Sequence, residues 1–182
     1  MNTGVDLSDV VLDLYSVGDT PRQIQGWLPP ERLPHLAEGC RSVEAAARAE
    51  LRAERAFHGE GLRIHGEISG KVGLTCSRCL KEFSLGLEAL VERRFVSGED
   101  PAKGVDEREM VDDTEYLPEN RLKLATVIEE ELILLLPMIP LCREACAGLC
   151  GQCGANLNDG PCGCAPLEED GPFAALKKLS GT

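Results

Sequence analysis

Aromatic side chains are scarce in this chain. They make up 4% of its 182 residues: one Trp, two Tyr and four Phe. A hydrophobic content of 43% is still enough for a core, so that core must be built from Leu, Val, Ile and Ala. Basic charge is short too. Nineteen Lys and Arg stand against 31 Asp and Glu, a formal net charge of −12. An acidic surface repels phosphate backbones, which excludes a general, non-specific nucleic-acid binder but leaves room for a local basic patch. Long apolar runs are missing. The longest, Leu132 to Leu141, is interrupted by Pro137 and Pro140 and is too short to span a bilayer. The opening MNTGVDLSDVVLDLYSVGD has no basic region leading into an apolar stretch, which argues against a secretory signal. The expectation is a cytoplasmic protein whose thiols stay reduced, with no membrane partner.

Catalytic constellations are absent as well. The three histidines, His35, His58 and His65, lie far in sequence from the cysteine-rich tail. There is no Ser/His/Asp set, no phosphate-cradling glycine loop and no His/carboxylate metal set, so no catalytic residue and no small-molecule substrate is assigned. Glu129 and Glu130 are neighbours on a helix and point apart, so they do not form an acid/base pair.

What is present is alternation. In Leu62 to Cys76 the even positions carry Leu62, Ile64, Ile68, Val72 and Leu74, and the odd ones Arg63, His65, Glu67, Ser69 and Lys71. Period two marks a half-buried strand, and Gly66, Gly70 and Gly73 suggest a bulge or bend within it. After CSRC (76–79) the alternation resumes on Phe83, Leu85, Leu87, Ala89, Val91 and Phe95, making a hairpin with that tetrapeptide at its tip. AAARAELRAERAF has the alanine content of a helix but the alternation of a strand. HGEG (58–61) reads as the turn after it, which favours the strand.

The expected fold is α+β: an antiparallel β-meander packed against a helix, with a Cys-rich zinc-knuckle C-terminal segment. Residues 1–42 form an N-terminal segment with a possible strand in 7–17 and a Pro-rich connection over 18–40. Residues 43–136 hold the sheet, an acidic loop (97–118) and the packing helix. Residues 137–182 form the metal-binding tail and a short terminal helix, PFAALKKL. The acidic loop has eight acidic and two basic residues and no apolar periodicity, and reads as a solvated loop. In 119–136, Leu124, Ile128, Leu132 and Leu135 share one helical face, with Glu129 and Glu130 elsewhere, and Pro137 ends the helix.

Eight of the nine cysteines fall in close pairs: Cys76/Cys79, Cys142/Cys146, Cys150/Cys153 and Cys162/Cys164. Cys40 stands alone and reads as a small buried hydrophobe. Four pairs can supply two all-cysteine tetrahedral sites, the arrangement structural Zn2+ takes. Both CxxC pairs suit knuckles, and the glycine after Cys153 permits the turn. One division gives Cys150, Cys153, Cys162 and Cys164 one ion and Cys76, Cys79, Cys142 and Cys146 the other. A rival division lets the two CxxC knuckles share an ion. The CxxxCxxC spacing of Cys146, Cys150 and Cys153 matches a radical-SAM motif, but the chain after it is too short for that barrel. An iron–sulfur cluster or a thiol redox pair is the enzyme alternative, without an identifiable substrate.

The order of motifs resembles the bacterial YceD family, also called the domain-of-unknown-function 177 family. A hairpin carrying CSRCL precedes an acidic spacer and a helix running into LLLPMIPLC. AGLCGQCGANLN, CGC and PFAALKKL follow. The resemblance covers roughly 43–182, and this chain has Gly151 where the knuckle usually has proline. It implies a non-enzymatic factor for large ribosomal subunit assembly and accumulation of 23S ribosomal RNA, acting by binding precursor RNA or a basic ribosomal protein. Because some members lack much of the tail, it also implies that metal stabilises rather than performs the activity. Two routes to the ribosome follow: the acidic loop can hold a basic protein, or Lys71, Arg78, Lys81, Lys177 and Lys178 can meet RNA.

Overall fold

The computed structural model describes residues 4–18, 20–56, 61–99 and 114–164. The three alternating segments form long strands. β4 (Ser42–Arg55), β5 (Leu62–Thr75) and β6 (Glu82–Ser97) pair antiparallel, with rows such as Ala49–Ile68–Ala89 crossing all three. Ala56 N–H donates to Gly61 O across the first connection; positions 58–60 of the HGEG turn lie outside the described residues. The meander is therefore the heart of the sheet. Its expected irregularity falls elsewhere, because β5 pairs with β6 without interruption. The register shifts sit in β4, between Val43 and Arg48.

The sheet is wider than the meander. Its order is β1-β3-β4-β5-β6-β7, where β1 is Val5–Asp6, β3 is Arg22–Leu28 and β7 is Thr114–Leu117. β3 corrects the reading of 18–40 as connection: it pairs antiparallel with β4 from Arg22↔Ala53 to Leu28↔Ala47. Its inward positions are Ile24, Gly26 and Leu28. The glycine hides the alternation, and packing requires it, because a Cβ there would lie 2.2 Å from Val5 O and 2.6 Å from Leu7 Cγ. β7 likewise corrects the end of the acidic stretch, pairing parallel with β6. The strand expected within 7–17 is β2 (Val11–Asp13), which pairs with β8 (Arg121–Lys123) in a separate two-stranded sheet.

One face of the large sheet is covered. The helix α2 (Leu124–Leu134) starts after β8 and lays Leu124, Val127, Ile128 and Leu132 into the core with Leu7, Leu12, Leu33, Leu36 and the inward residues of β3–β6. Gly70 leaves the space that Leu132 fills. Each such leucine contributes about 1.5–3 kcal/mol by burial. Leu135 and Leu136 N–H donate to Leu132 and Ile133 O, a tightened last turn before Pro137.

Glu129 departs from its expected place, being buried at 8% exposure. Its Oε1 accepts from the backbone N–H of His35 (2.7 Å) and Leu36 (3.1 Å). These are free donors in the first turn of α1 (Pro34–Gly39), a helix whose own cap residue Leu33 offers no side-chain bond. His35 Nδ1 lies 3.1 Å from Glu129 Oε2. Cys40 is half-buried against this core, and burial holds its thiol above the usual range.

Candidate metal centres at the hairpin tip and in the tail

Two turns of the same shape carry the CxxC pairs. In the first, Cys76 N–H donates to Lys81 O at 2.9 Å, and Leu80 N–H returns to Cys76 O at 3.0 Å. In the second, Cys150 N–H donates to Ala155 O at 2.8 Å, and Gly154 N–H returns to Cys150 O at 2.9 Å. The residue after the second cysteine is left-handed in both: φ is 58° at Leu80 and 72° at Gly154. This turn aims both sulfurs inward and turns backbone N–H groups towards them. At the tip a further bond, Ser77 N–H to Pro140 O at 2.8 Å, docks the segment that follows α2 against the hairpin.

That docking decides which cysteines meet. Cys76, Cys79, Cys142 and Cys146 form one group and Cys150, Cys153, Cys162 and Cys164 the other, the four sulfurs of each lying within 4.8 Å of one another. The division in which the two knuckles share an ion is not the one adopted. In the first group Cys76 Sγ is 3.7 Å from Cys146 Sγ and Cys79 Sγ is 3.6 Å from Cys142 Sγ. Four thiolates at about 2.3 Å around one tetrahedral ion stand about 3.8 Å apart. The spacing therefore fits a single ion, and both groups can hold one.

The surroundings push these thiols in opposite directions. Burial pushes the Cys76 thiol up, but the N–H groups of Cys142, Cys79 and Arg78 outweigh it and hold it at about 6. Cys150 is held at about 6 chiefly by the N–H groups of Cys153 and Gln152. Each group also contains an opposite case. Cys142 is pushed up to about 12 by burial and then by its sulfur neighbours. Cys164 is pushed up to about 12 by hydrogen bonding to Cys153 and then by burial. Thiolates crowded at contact distance repel unless a cation lies between them.

Asn158, which the spacing of the cysteines did not point to, lies in the chain between Cys153 and Cys162 and bonds back to the first group. Its Oδ1 accepts from Ala147 N–H (2.9 Å) and from the Arg143 guanidinium. Its Nδ2 donates to Cys146 Sγ at 3.3 Å. Asn156 Oδ1 accepts from Asn158 N–H and Nδ2, and Leu157 N–H donates to Gly148 O. The only trace in the sequence is the NLND turn between the knuckle and CGC.

The proposed RNA contacts are dispersed. Lys71 sits within β5, its Nζ 3.3 Å from Glu44. Arg78 is exposed in the first knuckle, with Nη1 donating to Cys146 O at 3.0 Å. Lys81 is exposed at the foot of β6. Lys177 and Lys178, with the rest of PFAALKKL, lie outside the described residues, as do 100–113 of the acidic loop. Among the described residues no helix is long and apolar enough to cross a membrane.

The sequence model of the family described as large ribosomal RNA subunit accumulation protein YceD matches residues 64–180, more than half of the chain. The chain is 27% identical over 141 residues to the large ribosomal RNA subunit accumulation protein YCED homolog 1, chloroplastic, of Arabidopsis thaliana, covering 65% of this chain and 44% of the relative. It is 29% identical over 102 residues to an uncharacterized protein of Mycobacterium tuberculosis, 56% of this chain and 48% of the relative. An uncharacterized Mycobacterium leprae protein is 26% identical over 156 residues, 83% and 69% respectively. The chain spans about half the length of the first two relatives. No solved structure matches it.

Proposed function

Since the chain belongs to the YceD family of large ribosomal RNA subunit accumulation proteins, we propose that it is a non-enzymatic factor supporting accumulation of that RNA. It would act by binding the precursor RNA or a basic ribosomal protein. The family match carries this reading. Both cysteine groups are all-thiolate, without histidine or carboxylate, the donor set of closed structural sites rather than of sites with an open catalytic position. In a strain lacking the protein, large-subunit particles fall relative to small ones on sucrose gradients. Unchanged subunit ratios with normal RNA levels overturn the reading.

The metal we assign is Zn2+, held by Cys76, Cys79, Cys142 and Cys146 and by Cys150, Cys153, Cys162 and Cys164. When bound, it supplies charge neutralisation and cross-linking. The short sulfur separations suit one ion better than a multi-iron cluster, whose metals would hold the sulfurs further apart. Protein purified anaerobically carries close to two Zn2+ per chain by metal analysis. Stoichiometric iron with a visible charge-transfer band would replace this assignment with a cluster.

A further inference from the structure

The two knuckles share one turn but differ at its left-handed corner. Gly154 occupies it in the tail and Leu80 at the hairpin tip. Glycine is at ease there; a side chain with a Cβ is strained. Leu80 gains no core contact in return, since it is 63% exposed. Nearby, Ser77 N–H holds Pro140 O, which brings the PMIP segment (137–140) to the same end of the molecule. Met138 there is 100% exposed and Ile139 69%. Phe83 and Leu141, close in sequence to these residues, instead pack inward on the cysteines with Leu149. The tip thus presents three aliphatic side chains to water, one of them in a conformation that costs stability.

Charge identifies what meets them. Arg78 and Lys81 bracket Leu80, and with Arg143 they exceed the net charge of about −2 of four thiolates around one divalent ion; neither 76–81 nor 135–143 contains a carboxylate. Among the described residues the sheet's depression suits a polyanion less. The chain carries −12, and the depression on the open sheet face is lined by Glu50, Glu67 and Glu88 with Arg48. We infer that the hairpin tip is a contact for unpaired RNA, with Leu80, Met138 and Ile139 against base faces and Arg78 and Lys81 towards the phosphates. Unpaired strands offer those faces, whereas a duplex hides them in its stack. The inference rests on the proposed role in accumulation of the large ribosomal RNA and gives that role a surface.

The test exploits the strain. Leu80→Gly relieves the corner, so the full-length variant keeps its metal and its thermal midpoint, or raises it. Its affinity for a labelled single strand of about 20 nucleotides from the large-subunit RNA falls about tenfold, the loss of one apolar anchor. M138S/I139S, altered at exposed positions, weakens binding in the same direction. Lys81→Gln lowers the slope of log affinity against log salt by about 0.7, one phosphate contact on a single strand. Annealing the strand to its complement removes most of the binding. Leu80→Gly binding with unchanged affinity overturns the inference, as does wild-type protein that captures no RNA. A tip that cross-links to a protein in cells instead assigns the surface to that protein and also overturns it. A deletion strain with normal RNA levels removes the broader reading, whereas a Leu80→Gly strain with normal levels and full RNA binding removes only this one.

Discussion

The hairpin-tip cysteines and the tail cysteines are equal in number and donor type but not in setting. Cys76, Cys79 and Cys146 are almost fully buried and pack with Phe83, Leu141 and Leu149, and Phe83 also touches the main core. Cys150, Cys162 and Cys164 are half-buried, and Cys153 is exposed. The first cluster continues a hairpin whose strands already have an apolar face. The second sits in a glycine-rich segment with little to bury. Ordering backbone costs about 1–2 kcal/mol per residue, and among its described residues the second cluster's segment sets against this, besides sulfur and Asn158, turn hydrogen bonds such as Cys150 N–H to Ala155 O and one bridge, Leu149↔Asn156. An ion held by each group would therefore fasten two structures at the tip and make one in the tail.

Cutting the first cluster is expected to have the larger effect. C76S/C79S removes an ion and loosens everything after α2, because the remaining hydrogen bonds shown between hairpin tip and tail are Ser77 N–H to Pro140 O and Arg78 Nη1 to Cys146 O. Metal binding at comparable small sites is worth about 10–16 kcal/mol. Limited proteolysis should open the chain from about residue 137 onwards, within the span set by Pro137 and Cys142. C150S/C153S should open only the stretch around the second cluster, with cleavage inside 142–164. In both variants a fragment containing the meander survives, since its core does not include the cysteines. If either variant loses strand circular dichroism in the same cooperative step as the tail, the metal belongs to the core and the comparison fails.

Asn158→Ala asks whether the clusters are independent. It removes the bond to Cys146 Sγ and leaves Ala147 N–H and Arg143 without an acceptor. A loss of about 1–3 kcal/mol is expected from unsatisfied donors of this kind. Both ions should remain, but the second should leave to a chelator earlier than in wild type. Unchanged chelator kinetics would mean that the clusters do not communicate through this side chain.

Much of this architecture was legible. The alternation over 62–76 and 83–95 is what two antiparallel strands with one buried face require, and it gave the hairpin and its tip, while the helical spacing of Leu124, Ile128 and Leu132 gave the helix above them. What was hidden is hidden for physical reasons. β3 lost its alternation because Gly26 sits against Val5 of the paired β1 and against Leu7. Arg121–Lys123 became strand rather than helix because β2 pairs with it, a contact from more than a hundred residues away. Glu129 is buried because it caps α1, and no local pattern announces a cap supplied by another helix. The eight cysteines that gather into two groups could be named from spacing alone. Their division could not, since it depends on the hairpin docking against the segment after α2.

The finest difference between the knuckles is the corner residue, and its effect on stability is the smallest expected. At Gly154 a Cβ would meet nothing within 4 Å, so Gly154→Ala tests the backbone alone. At φ 72° an alanine costs about 1 kcal/mol, while asparagine, which tolerates this region, should cost less. Hydrogen exchange at the amides of 150–155 reads this directly, because Cys150 N–H and Gly154 N–H close the turn. Exchange should quicken in the order glycine, asparagine, alanine, with the metal retained. The tip bears the same penalty already through Leu80, and its buried sulfurs and Ser77–Pro140 bond absorb it. If Gly154→Ala leaves exchange unchanged, the left-handed corner is not costly in this turn, and strain at Leu80 can no longer be the reason to look for what it touches.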